Sequence, residues 1–201
     1  MMLKRWNLLL YTAVFWLGLS GTALADSSAQ LLAQIARISA NPEALQANFT
    51  QSKNIKGFRS PMQSSGKVIL ARQKGMLWVT EQPYQSTLKI NPNGISEVRN
   101  GQTQQLGNAQ SMSAMTQVMS SMLAGDFSSL QRYFSFTGKV SGNSWNLSLQ
   151  PSDAQVKRVI SSIQLRGGQY VNQAVIREMN GDITTIRFLN PRAVSPATVG
   201  F

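Results

Sequence analysis

The chain contains no cysteine and no histidine. Without cysteine there are no disulfides and no thiol chemistry, so packing alone must hold the fold. Thioether and thioester lipid anchors are excluded by the same absence. Histidine is the commonest general base near neutral pH and the commonest zinc ligand. Losing both residue types removes structural zinc and every triad built on His or Cys. Acid is scarce as well: eight Asp and Glu stand against nineteen Lys and Arg, for a formal net charge of +11.

The few carboxylates form no catalytic pattern. Asp126, Asp153 and Asp182 each sit beside turn or capping residues and read as caps or turn formers, whereas Glu97 and Glu178 fall in strand-like runs and read as exposed. No spacing pairs two of them as acid and base or gathers a metal site. No serine lies in a Gly-x-Ser-x-Gly elbow, and neither phosphate-binding glycine loop, Gly-x-x-x-x-Gly-Lys-Ser/Thr or Gly-x-Gly-x-x-Gly, occurs. The chain therefore reads as a non-enzyme that needs neither metal nor cofactor. Its basic excess favours anionic membrane surfaces or acidic partners. The cations are scattered singly, without basic runs interleaved with aromatics, so no nucleic acid is expected as a partner.

One long apolar run is present. Lys4 and Arg5 precede Leu8 to Leu19, and Ala23-Leu24-Ala25 follows as a small-x-small site. The run is shorter than the roughly 20 residues that span a bilayer. Basic start, apolar middle and small-residue end are the three parts of a cleaved secretory signal peptide. Residues 1–25 are expected to be removed, leaving 26–201 as one exported, periplasmic domain with no lipid anchor.

Periodicity divides the rest into four stretches. Leu31, Leu32, Ile35 and Ile38 recur at helical spacing behind a cap at Asp26 or Ser27, and Asn41-Pro42 ends that helix before a short turn through Ala44-Leu45. Short strand-like runs follow at Phe49 to Ile55, Gly66 to Ala71, Met76 to Glu81, Thr87 to Ile90 and Ile95 to Arg99, separated by Gly, Pro and Asn-Gly turns. A second helix carries Met112, Met115, Met119 and Met122 on one face, with Val118 and Leu123 beside them, and ends at Gly125; Asp126 then caps a short helix through Phe127, Leu130 and Tyr133. Strands return at Phe134 to Val140, Trp145 to Leu149, Val159 to Leu165, Tyr170 to Glu178 and Ile183 to Leu189. The pattern predicts an α+β fold, a curved antiparallel sheet with helices on one face. The methionine stripe has two readings, plain core packing or an adaptable face for ligands of varied shape such as acyl chains. Both hold if the helix is a lid that packs on the sheet when empty and lifts when loaded.

Three segments resemble the periplasmic outer-membrane lipoprotein carrier family, LolA. Leu45-Gln46-Ala47-Asn48-Phe49-Thr50-Gln51-Ser52-Lys53 is similar to the family's Phe-x-Ala-x-Phe-x-Gln-Lys opening strand. Gly66 through Trp78 follows its pattern of a glycine, an apolar strand, then Arg-Pro-x-x-aromatic-x-Trp. Gln82-Pro83-Tyr84 and Asn93-Gly94 stand where the family has a proline and then an Asp-Gly turn. Gln73 replaces the family proline, Met76 replaces its aromatic, and the Phe-x-Phe-x-Pro-Pro-Gly ending is not evident, which marks a divergent member.

The resemblance implies an incomplete, strongly curved antiparallel barrel whose helices form a lid over an apolar cavity for acyl chains. Phe49, Met76 and Trp78 are candidate lipid-binding residues, and Trp78 matches the family tryptophan, which could be cavity wall or plain core. Met112, Met115, Met119, Met122 and Leu123 would form the lid face, and Arg72 matches the family arginine that holds the lid to the sheet. The implied role is a carrier of an acylated lipoprotein or other lipid. An inner-membrane transporter would load it, and an outer-membrane receptor or membrane would accept the cargo. The alternative is a periplasmic regulator that senses lipid or lipoprotein with the same domain. Such sensors usually carry a second domain, and residues 26–201 leave no room for one. A lipid or cell-wall hydrolase is disfavoured by the missing His and Cys.

Overall fold

The computed structural model describes residues 23–72, 74–108, 120–121 and 123–198. Helix α1 (Ala23–Ile38) opens the described chain. It starts upstream of the caps expected at Asp26 and Ser27, because Ala23, Leu24 and Ala25 are good helix formers and continue it backwards. Its periodic apolar residues face inward, with Ile35 fully buried and Leu32 nearly so.

Eleven strands follow. The first six are β1 (Ala44–Asn54), β2 (Met62–Ala71), β3 (Gly75–Gln82), β4 (Ser86–Asn91), β5 (Gly94–Arg99) and β6 (Gln102–Asn108). The remaining five are β7 (Phe134–Ser141), β8 (Ser144–Pro151), β9 (Ile160–Gly167), β10 (Val171–Glu178) and β11 (Ile183–Ala193). They make one antiparallel sheet in the order β6-β5-β4-β3-β2-β1-β11-β10-β9-β8-β7. The first six strands form one meander and the last five another, and the two join where β1 pairs with β11. An open sheet of this width curls rather than staying flat. Breaks in register at Gln46/Asn48, Ser65/Gly66 and Ile95/Ser96 help it bend. Among the described residues β6 and β7 are unpaired edges, so the barrel is incomplete, as expected.

The edges fix the path of the central connection. To pass from β6 to β7 the chain must travel from one rim of the sheet to the other. Residues 120–121 and 123–124 are helical, Gly125 closes that helix at φ 70°, and a 3₁₀ turn covers Ser128–Arg132. Leu123, Phe127 and Leu130 enter the same core as α1, so the described part of the connection lies on the inner face. Asp126 accepts from the Ser128 N–H at 3.2 Å, and Asp153 caps α2 (Ala154–Lys157) by accepting from Gln155 N at 2.8 Å and Val156 N at 3.0 Å.

Two local expectations are corrected. Ala44 and Leu45 begin a strand rather than a helical turn, because both are buried in register with Ala71 and Leu70 of β2, and that pairing outweighs alanine's helical preference. Strand β6 escaped the pattern altogether. Gln102 to Leu106 is exposed and has no alternation to read. It is a strand because Asn100 and Gly101, both at positive φ, turn the chain back onto β5.

Glu97 and Glu178 are also less exposed than expected, since each has a cationic partner. Arg99 lies 2.9 Å from Glu97, and Lys53 lies 2.8 Å from Glu178 and 3.5 Å from Asp182. The Glu178 hydrogen bond holds the Lys53 ammonium above its ordinary range, against the opposing effect of burial. Asp182 is held below the usual carboxylate range, chiefly by the backbone N–H of Lys56, which donates to its Oδ1 at 3.0 Å. This cluster ties the β10–β11 hairpin to the end of β1.

Candidate functional site

Register places the inward side chains in rows across the sheet. One row is Leu45, Leu70, Met76, Ile90 and Ile95; the next is Ala47, Val68, Trp78 and Leu88, and it continues in β5 to Glu97, which is paired with Arg99; a third is Phe188, Phe49, Gly66 and Thr80. Gly66 is required there, because a Cβ at this position would run into the Val79 carbonyl oxygen. The room it leaves brings Phe49 diagonally onto Trp78, with ring centroids 4.2 Å apart and tilted by 34°. Phe188 closes the group edge-on to Trp78 at 6.3 Å. Aromatic pairs at these separations attract beyond their buried area.

The two halves of the sheet are covered unequally. On β7 to β11 the inward residues Phe136, Leu147, Leu149, Ile163, Leu165, Ala174, Ile176 and Ile186 are all buried. On β3 to β5 Met76 and Ile90 are buried, but the inward Trp78, Leu88 and Ile95 are only partly buried, as is Val140 at the end of β7, although all adjoin the same core. The inner surface thus ends in a largely apolar wall with incomplete cover, interrupted by Glu97.

Trp145 fastens the crossing segment on the covered side. Its ring lies over Gly167, its Nε1 donates to the Gly168 carbonyl at 2.8 Å, and Phe127 meets it edge-on at 5.2 Å.

The expected site residues fall into three groups. Phe49, Met76 and Trp78 do come together, with the first two buried in the wall and Trp78 at its partly open part. Leu123 is buried on the crossing segment. Met112, Met115, Met119 and Met122 lie outside the described residues. Arg72 is exposed in the β2–β3 hairpin, and its backbone N–H donates to the Glu43 carbonyl at 2.8 Å. It lines a cleft of about 300 Å³ together with Leu32, Ala33 and Ala36 of α1 and with 125–128 of the crossing segment. Phe188, Leu88 and Trp145 escaped sequence reasoning. The alternation of Ile183 to Leu189 puts Phe188 on the face of Ile186, but only the β1–β11 pairing sets it against Phe49.

A second cleft, of about 360 Å³, lies on the opposite face of β4 to β6 and is lined by Lys89, Asn91, Asn93, Ser96, Thr103 and Gln105 among others. So polar a lining does not suit hydrocarbon. Among the described residues, no three acidic side chains gather to hold a metal, and no helix is long and apolar enough to cross a membrane.

The model of the family described as outer membrane lipoprotein carrier protein LolA matches residues 40–199. The chain belongs to the LolA family. A LolA superfamily protein of Nitrosomonas europaea has a similar structure, with a TM-score of 0.50 at 9% identity over 84% of this chain and 94% of that one. A DUF1329 family protein of Desulfovibrio piger matches at a TM-score of 0.48 and 9% identity, over 88% of this chain and 95% of that one. The Mycobacterium tuberculosis lipoprotein LppX matches at 0.39 and 9% identity, over 84% of this chain and 97% of that one. No curated protein matches in sequence. LolA membership places the chain among carrier and binding proteins, and the incomplete antiparallel barrel is the fold that this membership implied.

Proposed function

We propose that this LolA-family protein is exported after cleavage behind Ala25 and carries the acyl chains of a lipoprotein or another lipid across the periplasm. It receives them from an inner-membrane transporter and yields them to an acceptor at the outer membrane. The reading is carried by the incomplete cover over Trp78, Leu88 and Ile95, an apolar wall that continues the core without being sealed by it.

The physics asks for such a wall. Each methylene taken out of water gains about 0.8 kcal/mol, so a free acyl chain stays in its membrane unless another apolar surface receives it. Burial that is too tight would trap the cargo. A closed empty state lowers the net affinity, because opening consumes part of the binding energy. The cleft that Arg72 shares with α1 and with 125–128, just after the helix of the connection, supports Arg72 as the latch. Its guanidinium would hold the lid down by donating to that segment.

Uptake of a fluorescent fatty acid by the exported protein tests both parts. Wild type is expected to bind saturably. Arg72→Leu is expected to bind roughly tenfold more tightly, the effect of losing about 1.4 kcal/mol of closed-state stabilisation. Unchanged binding removes Arg72 from the mechanism, and no uptake by either protein contradicts the carrier reading.

A further inference from the structure

The antiparallel register sends five connections to one end of the sheet, after β1, β3, β5, β8 and β10. Of the seven exposed large apolar side chains among the described residues, five lie at this end: Phe58, Met62, Tyr84, Val159 and Met179. Phe58 is 74% exposed and Tyr84 80%, so neither adds to the core.

Three of these connections are tied into one surface. Met179 N donates to the Val159 carbonyl at 2.8 Å, joining the β10–β11 hairpin to the segment before β9. Lys56 N donates to Asp182 Oδ1 at 3.0 Å, joining the same hairpin to the β1–β2 loop that bears Phe58. Met62 opens β2, whose Ser65 pairs with Gln82, so it and Tyr84 emerge at the same end.

Charge sorts itself on this surface. Its acids all have partners: Glu178 and Asp182 pair with Lys53, Glu81 at the end of β3 pairs with Lys67, and Asp153 accepts from the N–H groups of α2. Lys56, Arg59, Lys157 and Arg158 are exposed, and none is in an ion pair among the described residues. We infer that this end of the sheet docks on an anionic phospholipid bilayer. The phosphates would meet these four cations, and Phe58, Met62, Tyr84, Val159 and Met179 would enter the headgroup boundary. Single apolar side chains spread over four connections, with exposed cations on two of them, suit the fluid headgroup boundary of an anionic bilayer. Tyrosine at such a boundary keeps its hydroxyl wet while its ring is buried.

Co-sedimentation of the exported protein with phosphatidylglycerol-rich vesicles tests this. Acyl uptake is measured without vesicles, so the docking and carrier readings fail separately. Wild type is expected to bind these vesicles and to leave phosphatidylcholine vesicles in the supernatant. Lys56→Glu/Arg59→Glu should weaken partitioning at least tenfold, and Phe58→Ser/Met179→Ser at least fivefold. Lys139→Glu/Arg166→Glu makes the same charge change toward the opposite end and should stay within threefold of wild type. The inference is overturned if wild type ignores the anionic vesicles, which leaves a protein as the occupant of the patch. It is also overturned if either loop variant binds as wild type, or if the control variant falls as far as the loop variants.

Discussion

Trp145→Ala is expected to cost about 3–5 kcal/mol of unfolding free energy, a large share of the 5–15 kcal/mol typical of a domain, read as a fall in the urea midpoint. Three losses coincide at this side chain. The indole is 3% exposed and fills the space over Gly167, so truncation leaves a cavity that the glycine cannot fill. The Gly168 carbonyl loses its 2.8 Å donor. Phe127 loses the ring that it meets edge-on, which frees the crossing segment from the sheet. Trp145→Phe keeps most of the apolar volume and gives up the hydrogen bond, so about 1–2 kcal/mol is expected. A Trp145→Ala unfolding free energy within about 0.5 kcal/mol of wild type, the scale of an ordinary surface change, would show that the crossing segment is held elsewhere.

Leu88→Asp should abolish acyl uptake while leaving the fold largely intact. Leu88 pairs with Trp78 on the inner face and is only partly buried, so an aspartate there keeps water in the empty protein. Seating a hydrocarbon chain against Trp78 would strip that water from a carboxylate that lies opposite Glu97 across the β4–β5 pair, at a cost of several kcal/mol. This corresponds to a loss of affinity of at least about a hundredfold. Leu88→Met, similar in volume and apolar, should bind near the wild-type level. The comparison is a fatty-acid titration alongside thermal unfolding. If the aspartate variant binds within threefold of wild type, the chain is seated elsewhere.

Most strands were legible because their inward and outward residues alternate, as in β8, where Trp145, Leu147 and Leu149 point in and Asn146 and Gln150 point out. Legibility failed where tertiary pairing overrode the local signal. Ala44 and Leu45 carry no strand signature of their own and are extended because β2 and β11 flank them. β6 has polar residues on both faces and exists through its turn and its partner. The candidate site shows the same divide. Phe49, Met76 and Trp78 could be grouped from a family pattern, and the pairing of β1, β2 and β3 explains why they meet. Phe188 joins them from the far end of the chain, and no local period encodes that contact. The unequal burial was equally hidden, since Leu88 and Leu147 both stand in short strand-like runs in sequence, yet Leu147 is buried and Leu88 only partly so.

The central claim is that a hydrocarbon tail lies against Trp78. Removal of residues 1–25 leaves two tryptophans, Trp78 and Trp145, and Trp145→Phe leaves Trp78 as the sole indole emitter. Titrating that variant with a dibrominated stearic acid reports contact directly, because bromine quenches indole emission only at close range. The account predicts saturable quenching that ends near one fatty acid per protein and reverses when unlabelled fatty acid is added. Emission that stays constant up to the solubility limit of the fatty acid, in a variant that is still folded, would contradict it.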